Sequence, residues 1–124
     1  MSILLTGSTG YIGSRFLKKI SETYPKQEIR LIARRNVKGF KTFKCDFLND
    51  AIPNDALNSV DTVYHIAGRA HDLDNKKLEN EYIKINTNST INLANLAIAH
   101  NIKSFIFLSS VKASEDNDIY GVSK

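Results

Sequence analysis

Cysteine and long apolar runs are nearly absent from this chain of 124 residues, and each absence excludes a class of protein. The single thiol, Cys45, cannot form an internal disulfide and has no second thiol with which to bind a metal. We therefore expect Cys45 to be a small buried hydrophobe in a cytoplasmic protein. No apolar run approaches the roughly 20 residues that a membrane span needs, so no membrane partner is expected. The apolar start, 2–5, is also too short for the core of a signal peptide.

The excess of positive charge is small, and its distribution argues against a nucleic-acid partner. The formal net charge is +4 and the sequence pI is about 9.2. A basic face attracts phosphate groups, yet these residues are scattered along the chain. The densest group consists of Arg30, Arg34, Arg35, Lys38, Lys41 and Lys44. We expect this group to lie where an anionic cofactor binds, the alternative being a solvated charged face.

Strand-like and helix-like segments alternate along the chain, which predicts an α/β fold. Runs typical of strands occupy 3–6, 28–33, 41–45, 62–66 and 104–108. Apolar residues at helical spacing follow the first run, and a short helix is expected over 55–59. Such alternation implies one Rossmann-like, doubly wound parallel sheet of about five strands with helices on both faces. Residues 1–124 are therefore expected to form one domain.

The longest helical pattern covers 75–100. Its apolar residues recur at helical spacing, for example at Tyr82, Ile85, Leu93 and Leu96. The middle of the segment, 86–90, is rich in asparagine, serine and threonine, whose side chains compete for backbone hydrogen bonds. The sequence therefore predicts a bend or a break in this helix.

Three glycines, Gly7, Gly10 and Gly13, lie between the first strand and the first helix. Glycine permits a tight turn, lets the backbone approach a diphosphate, and lets the helix pack against its strand. Free amides at the start of the helix, reinforced by the helix dipole, would then hold the phosphates. This context predicts a dinucleotide site, the alternative being a structural turn without a ligand.

The end of the second strand predicts which dinucleotide is preferred. In such sites a carboxylate at this position accepts a hydrogen bond from the 2′-hydroxyl of the adenosine ribose, whereas arginine accommodates a 2′-phosphate. Here the strand ends in Ala33, Arg34 and Arg35, without a carboxylate. We therefore predict an NAD(P) site that prefers NADP, the alternative being that the arginines are solvated or stack on adenine.

A tyrosine, a lysine and a serine near the end of the chain form a candidate catalytic group. Tyr120 and Lys124 are four residues apart and can share one face of a helix. A nearby ammonium favours the phenolate, so Tyr120 could pass a proton to or from a carbinol oxygen. Ser110 follows the fifth strand, at the carboxyl edge where such sheets bind ligands, and could hold the carbonyl oxygen.

The histidines do not indicate a metal site. No thiol or carboxylate cluster accompanies His65 and His71 in the sequence. We expect His65 to lie at a strand end near the cofactor, and His71 to face the substrate or to belong to a plain loop. No metal is expected.

Taken together, these motifs resemble the extended short-chain dehydrogenase/reductase superfamily, within its nucleotide-sugar epimerase and dehydratase group. The resemblance covers the whole chain. It implies catalytic roles for Ser110, Tyr120 and Lys124 and a cofactor contact for Asn86, which begins an Asn-x-x-Gly-Thr element. The other cofactor-binding residues that it implies are Gly7, Ser8, Thr9, Gly10, Tyr11, Ile12, Gly13, Arg34, Arg35, Asp46, Phe47, Ile66, Ala67 and Gly68.

The resemblance implies NAD(P)-dependent oxidoreduction at C4 of a nucleotide-linked sugar, with a UDP-linked substrate expected. Ala70-His71 and 109–112 resemble polysaccharide-biosynthesis members that are 4-epimerases or 4-ketosugar reductases. An epimerase returns hydride to the sugar that supplied it, whereas a reductase consumes NADPH; the two arginines favour the reductase. The alternative outside catalysis is a dinucleotide-binding or redox-sensing module. The intact catalytic group argues against that alternative.

Three features depart from the family pattern. Ser89 replaces the usual glycine, and the interval from Ser110 to Tyr120 is shorter than is typical. Family members also continue beyond the position of Lys124 into further strands and a smaller domain that binds the sugar nucleotide, and they usually form homodimers. We therefore expect the 124-residue chain to be an incomplete cofactor-binding domain without useful turnover by itself.

Overall fold

The computed structural model describes residues 1–68, 79–110, 113 and 122–124, and the described strands form one sheet. The strands are β1 (Ser2–Thr6), β2 (Glu28–Ala33), β3 (Lys41–Lys44), β4 (Thr62–His65) and β5 (Ser104–Phe107). Their spatial order is β3-β2-β1-β4-β5, and all four pairings are parallel. The predicted Rossmann-like α/β sheet is confirmed, and each predicted strand agrees with the observed one to within a residue at either end.

The helices differ from the prediction in type more than in place. They are α1 (Tyr11–Thr23), α2 (Glu79–Tyr82) and α3 (Ser89–Ala99), with a 3-10 helix over Asn54–Leu57 where a short helix was predicted. A π-helical segment, Ile83–Asn88, joins α2 to α3. Residues 75–78, the start of the long predicted helix, lie outside the described residues. Within the described ranges, no helix has the length and apolar character that crossing a bilayer requires.

The π-helical segment widens the long helix where a bend or a break was predicted. Ser89 donates its hydroxyl proton to the carbonyl of Ile85, and Thr90 donates to the carbonyl of Asn86 over 2.8 Å. Hydroxyls that bond four residues back compete with the backbone amides for those carbonyls. The polar residues therefore alter the local winding without ending the helix, and π-helical turns of this kind are frequent at functional sites.

Side chains on the two faces of the sheet form two separate cores. Leu4, Ile32 and Val63 pack with Leu93 and Ala97 of α3 on one face. The opposite face carries a second cluster, in which α1 supplies two residues: Ile3, Leu5, Leu17, Ile20, Ile29 and Leu31. Because neighbouring residues of a strand point to opposite faces, β1 is buried on both sides. The central strand thus holds the turn that follows it in a fixed position.

An asparagine cap ends α3 and directs the chain into β5. Asn101 has a positive φ of 54°, in the left-handed region that asparagine tolerates better than most residues. Its amide bonds to the carbonyl of Ile98, and the amide of Ile102 bonds to the carbonyl of Ala97, each over 3.0 Å. This pair of bonds is a Schellman motif, which satisfies carbonyls at the end of the helix.

One basic residue lies in a different environment from the one expected. Arg30, grouped above with residues near an anionic cofactor, is only 8% exposed. Its guanidinium donates hydrogen bonds to the Glu28 carboxylate and to the carbonyl of Asn58, so its charge interacts with partners inside the fold. Cys45 is buried as predicted, and burial raises the pKa of its thiol to about 11, which keeps it protonated and unreactive at neutral pH.

Candidate functional site

Gly7, in the turn after β1, and Gly13, in the first turn of α1, occupy places that no other residue could fill. Gly7 has a φ of +77°, and a Cβ atom there would lie 2.5 Å from the Ala67 amide nitrogen. A Cβ atom on Gly13 would lie 1.8 Å from the Gly7 carbonyl oxygen. The turn is therefore pressed against the chain after β4 on one side and against α1 on the other.

The start of α1 leaves its amides available for an anion. Gly10 is the N-cap and supplies no side-chain cap, and the first turn contains no acidic residue. The Ser8 hydroxyl is buried and has no hydrogen-bond partner among the described residues. Helix N-termini attract phosphate through free amides and the dipole, and a buried hydroxyl without a partner is itself unfavourable. These residues fit the diphosphate of a dinucleotide.

Hydrogen bonds join the carboxyl ends of β1 and β4 beside this turn. The Thr6 hydroxyl oxygen accepts from the amides of Ile66 and Ala67 over 3.2 Å and 3.1 Å. The same hydroxyl lies 2.7 Å from Nδ1 of His65, which is fully buried. His65 thus lies at a strand end, as predicted, and the segment 66–68 is held close to the glycine turn.

Two residues predicted from separate motifs meet at Gly68. A Cβ atom on Gly68 would lie 3.1 Å from Oδ1 of Asn86 and 3.2 Å from Nζ of Lys124. Asn86 lies in the π-helical segment, and its side-chain nitrogen donates to the Ser123 hydroxyl over 3.0 Å. Thr87 donates to the carbonyl of Ser123 over 2.7 Å. The helix after β4 therefore holds the residue next to Lys124.

Lys124 lies in a partly apolar environment. Its Nζ is 4.8 Å from the centre of the Phe107 ring, at the end of β5. Burial lowers the pKa of its ammonium from the ordinary value, because removing water disfavours the charged form. The Lys124 side chain thus lies close to both the Phe107 ring and Gly68, at the carboxyl ends of β5 and β4.

The other two members of the predicted catalytic group are Ser110 and Tyr120. Ser110 is half-buried three residues after β5 ends, and its carbonyl accepts from the Ala113 amide over 3.0 Å. Tyr120 lies outside the described residues, as does His71. The catalytic roles of Ser110, Tyr120 and Lys124 accordingly stay predictions.

The predicted adenosine side of the site lies at the ends of β2 and β3. Arg34 and Arg35 are exposed immediately after β2. The carboxylate of Asp46, just after β3, accepts from the Leu48 amide and from the Asn49 side chain, each over 3.0 Å. Phe47 packs against the core and meets the His65 ring edge-on at 5.9 Å. Their predicted contacts with adenosine are not tested by this geometry.

The sequence prediction missed several polar residues that organise the site. Thr6, Thr90 and Ser123 belong to its hydrogen-bond network but were not among the predicted site residues. One signal in the sequence could have indicated them. A hydroxyl residue at a strand or helix position that is normally apolar needs a hydrogen-bond partner when it is buried. Among the described residues, no group of three metal-ligating side chains could hold an ion.

Comparison with known proteins identifies the family of this chain. Residues 3–121 match the model of the NAD dependent epimerase/dehydratase family. The chain therefore belongs to the NAD dependent epimerase/dehydratase family. A UDP-glucose 4-epimerase of Vibrio cholerae is 35% identical over 126 residues, which cover 97% of this chain and 38% of the relative. A UDP-N-acetylglucosamine 4,6-dehydratase (inverting) of Campylobacter jejuni is 28% identical, covering 99% of this chain and 40% of the relative.

Solved structures agree with the epimerase/dehydratase assignment at the level of the fold. MoeE5 in complex with UDP-glucose and NAD superposes with a TM-score of 0.84 at 22% identity, covering 99% of this chain and 45% of that protein. Identity this low shows a shared fold alone. The chain spans about 40% of the length of the two relatives above.

Proposed function

We propose that this chain is the cofactor-binding part of an enzyme that carries out NAD(P)-dependent oxidoreduction at C4 of a UDP-linked sugar. The observation that carries the proposal is the glycine turn, where close backbone packing leaves the uncapped start of α1 open to a diphosphate. A Vibrio cholerae relative that is a UDP-glucose 4-epimerase and a structural neighbour solved with UDP-glucose and NAD support the substrate and cofactor class. Lys124 and Asn86, which meet at Gly68, support a reactive group nearby.

Each residue of the proposed site has a defined task. When bound, the nicotinamide cofactor supplies hydride exchange with the sugar carbon. The amides at the start of α1 hold the diphosphate, and the cation of Lys124 favours the phenolate of Tyr120. Tyr120 then takes the proton from the C4 hydroxyl or returns it to the C4 oxygen, while the Ser110 hydroxyl donates a hydrogen bond to that oxygen. Asn86 and Thr87 fix Lys124 through their bonds to Ser123.

A charge placed at Gly10 tests diphosphate binding without disturbing the fold. Gly10 has φ −81° and ψ 176°, which any residue adopts, and a Cβ atom there would meet only the Gly7 carbonyl oxygen, at 3.5 Å. Asp and Ser both cap helices well, so Gly10→Asp and Gly10→Ser should fold at least as stably as the parent chain. Only the aspartate repels phosphate.

The binding measurement is a calorimetric titration of the chain and both variants with NAD and NADP. We expect Gly10→Asp to weaken binding by about tenfold or more through like-charge repulsion, with a much smaller effect of Gly10→Ser. Thermal unfolding serves as the control for folding. The proposal is wrong if neither dinucleotide binds the parent chain, or if the aspartate variant binds as tightly as the serine variant.

The exposed arginines after β2 support a preference for NADP. Arg34 and Arg35 directly follow β2, the position that contacts the adenosine ribose in dinucleotide sites of this kind, and no carboxylate directly follows β2 to accept from a 2′-hydroxyl. Replacing both with alanine should weaken NADP binding by about tenfold, the scale of a lost charged hydrogen bond, and leave NAD binding unchanged. Lys26→Ala, which removes an exposed lysine before β2, at the opposite end of that strand, is the matched control. Equal loss of both dinucleotides would contradict the preference.

Turnover is expected to require more than these residues. These 124 residues span about 40% of the length of the relatives, and the family resemblance implies a separate domain that binds the substrate. We therefore infer that the 124-residue chain binds dinucleotide but does not convert UDP-glucose or UDP-galactose, which proton NMR of the sugar can follow. Steady conversion by the isolated chain would refute this inference without affecting the binding proposal.

Two exposed isoleucines support the homodimer that the family resemblance implied. Ile91 and Ile98, seven residues apart on α3, are 53% and 74% exposed. A spacing of seven places both on one face, and paired helices bury such faces against each other. Light scattering on the parent chain and on Ile98→Glu would detect a dimer that uses this face.

A further inference from the structure

A continuous chain of hydrogen bonds crosses the interior between the glycine turn and the π-helical segment. The buried His65 ring lies 2.7 Å from the Thr6 hydroxyl through Nδ1 and 2.8 Å from the Thr90 hydroxyl through Nε2. Thr90 in turn donates to the carbonyl of Asn86 over 2.8 Å. This series of hydrogen bonds thus begins at Thr6, the residue before Gly7, and ends at Asn86, whose side chain bonds to Ser123.

The hydrogen-bond partners of Thr6 and Thr90 determine where each proton lies in this series of hydrogen bonds. The Thr6 oxygen already accepts from the amides of Ile66 and Ala67, so its own proton is donated to Nδ1. The Thr90 proton is donated to the Asn86 carbonyl, so the Thr90 oxygen accepts from Nε2–H. His65 is therefore neutral, with its proton on Nε2.

The surroundings of His65 keep it in this form. Its ring packs against Phe47, Phe105 and Phe107, with the Phe107 ring stacked at 5.7 Å. Burial, together with a smaller contribution from the nearby cation of Lys124, lowers the pKa of His65 to about 4. A protonated ring could not accept from Thr6, so the neutral form is a condition for the whole chain of bonds.

We propose that His65 is a positioning residue that fixes the glycine turn relative to Asn86 and Lys124. Thr6 ties its ring to the turn that would hold the diphosphate, and Thr90 ties it to the π-helical segment that holds Ser123. The proposal rests on the proposed function and extends it, because the diphosphate site and the catalytic side would be coupled through one imidazole. A change on α3 should therefore alter ligand binding at the turn.

The test places the change at Thr90 and measures binding at the turn. Thr90→Val keeps the shape of the side chain and removes the hydroxyl, whereas Thr90→Ser keeps the hydroxyl. The ligand is ADP, which carries the diphosphate but no nicotinamide riboside that could reach Lys124 directly. Affinities are compared by calorimetry at a temperature where circular dichroism shows each variant to be folded.

We expect Thr90→Val to weaken ADP binding by about 2- to 30-fold, the range produced by mutations that disturb coupling networks, and Thr90→Ser to leave it nearly unchanged. A role in stability alone would lower the unfolding temperature of Thr90→Val without changing the affinity of the folded protein. Nitrogen NMR of the His65 ring provides a second readout. It should show Nδ1 without a proton in the parent chain and a changed Nε2 signal in Thr90→Val.

Two outcomes would overturn the inference in distinguishable ways. Equal ADP affinity in the parent chain and in folded Thr90→Val would remove the coupling and leave the proposed function intact. Failure of ADP and of both dinucleotides to bind the parent chain would remove the proposed function and the coupling together. If Thr90→Val does not fold, Thr90→Cys takes its place with the same expectations, since its thiol is only a weak hydrogen-bonding group.

Discussion

The carboxyl ends of β1 and β5 carry the two halves of the candidate site, and they are built differently. β1 is buried along its whole length between β2 and β4, and the turn after it is fixed by contacts of backbone with backbone. β5 pairs with β4, its residues alternate between exposed and half-buried, and Lys124 is held near it through side chains. The half proposed to bind a constant ligand, the diphosphate, is thus the rigid one, whereas the half proposed to perform chemistry depends on adjustable side-chain contacts.

The largest expected effect comes from filling the closest backbone contact of the rigid half. In Gly13→Ala the new Cβ atom would lie 1.8 Å from the Gly7 carbonyl oxygen and 2.5 Å from its carbonyl carbon. Neither the central strand nor α1 can shift without loss of core packing, so we expect a destabilisation of about 3 kcal/mol or more. Urea unfolding measures the change.

Gly10→Ala is the matched control for that experiment. Its Cβ atom would meet the Gly7 carbonyl oxygen at 3.5 Å, an ordinary contact, and its φ of −81° suits alanine. The expected loss is about 1 kcal/mol or less, because alanine is a poorer N-cap than glycine. Similar losses in the two variants would mean that the turn is less rigid than its packing indicates.

The second effect concerns His65, which lies between the two halves. Its pKa falls from 6.5 to about 4 on folding, mainly through burial. The unfolded chain therefore binds a proton that the folded chain does not, so stability is fully present above pH 6.5 and is lost as the pH falls toward 4. The total loss is about 3 kcal/mol, of which about 2 kcal/mol should be gone at pH 5.

Urea unfolding at a series of pH values between 7.5 and 5 measures this loss. The pKa values of the Glu28 and Asp61 carboxyls are also lowered on folding, by the Arg30 side chain and by the Ser2 amide, but their ordinary values lie below this range. His100→Gln, which alters a surface histidine bonded to Asn54, is the matched control and should keep the same dependence. Constant stability down to pH 5 would show that His65 is accessible to water.

The difference between the backbone-fixed turn after β1 and the side-chain contacts near β5 also explains how much of the structure could be predicted from the sequence. Strand positions and the glycine turn follow from local patterns, since apolar runs and glycine spacing reflect contacts within one βαβ unit. The π-helical segment was predicted only as a bend or a break, because which carbonyls Ser89 and Thr90 would bond depends on the helix itself. Arg30 was misplaced because its partner, the carbonyl of Asn58, lies in a distant loop.

In the candidate site, too, contacts between distant segments could not be predicted from the sequence. Lys124 was predicted from its spacing to Tyr120, and Asn86 from the family resemblance, but their meeting at Gly68 depends on how three segments pack. Thr6, Thr90 and Ser123 escaped prediction because an isolated hydroxyl in a sequence does not show which partner it will find. Contacts across 37 or more residues, such as that between Asn86 and Ser123, come from the tertiary fold alone.

The smallest expected effect is the electrostatic influence of Lys124, near β5, on the pKa of His65, which is bonded to the residue before the glycine turn. Lys124→Met removes a cation that lowers the pKa of His65, so that pKa should rise. It should stay below 6.5, because burial is the larger cause and is unchanged by the substitution. Proton NMR titration of the His65 ring follows the change. Lys103→Met, which removes an exposed lysine paired with Asp61, is the control and should leave the pKa of His65 where it is. If Lys124→Met likewise has no effect, the two halves share hydrogen bonds but no electrostatic coupling.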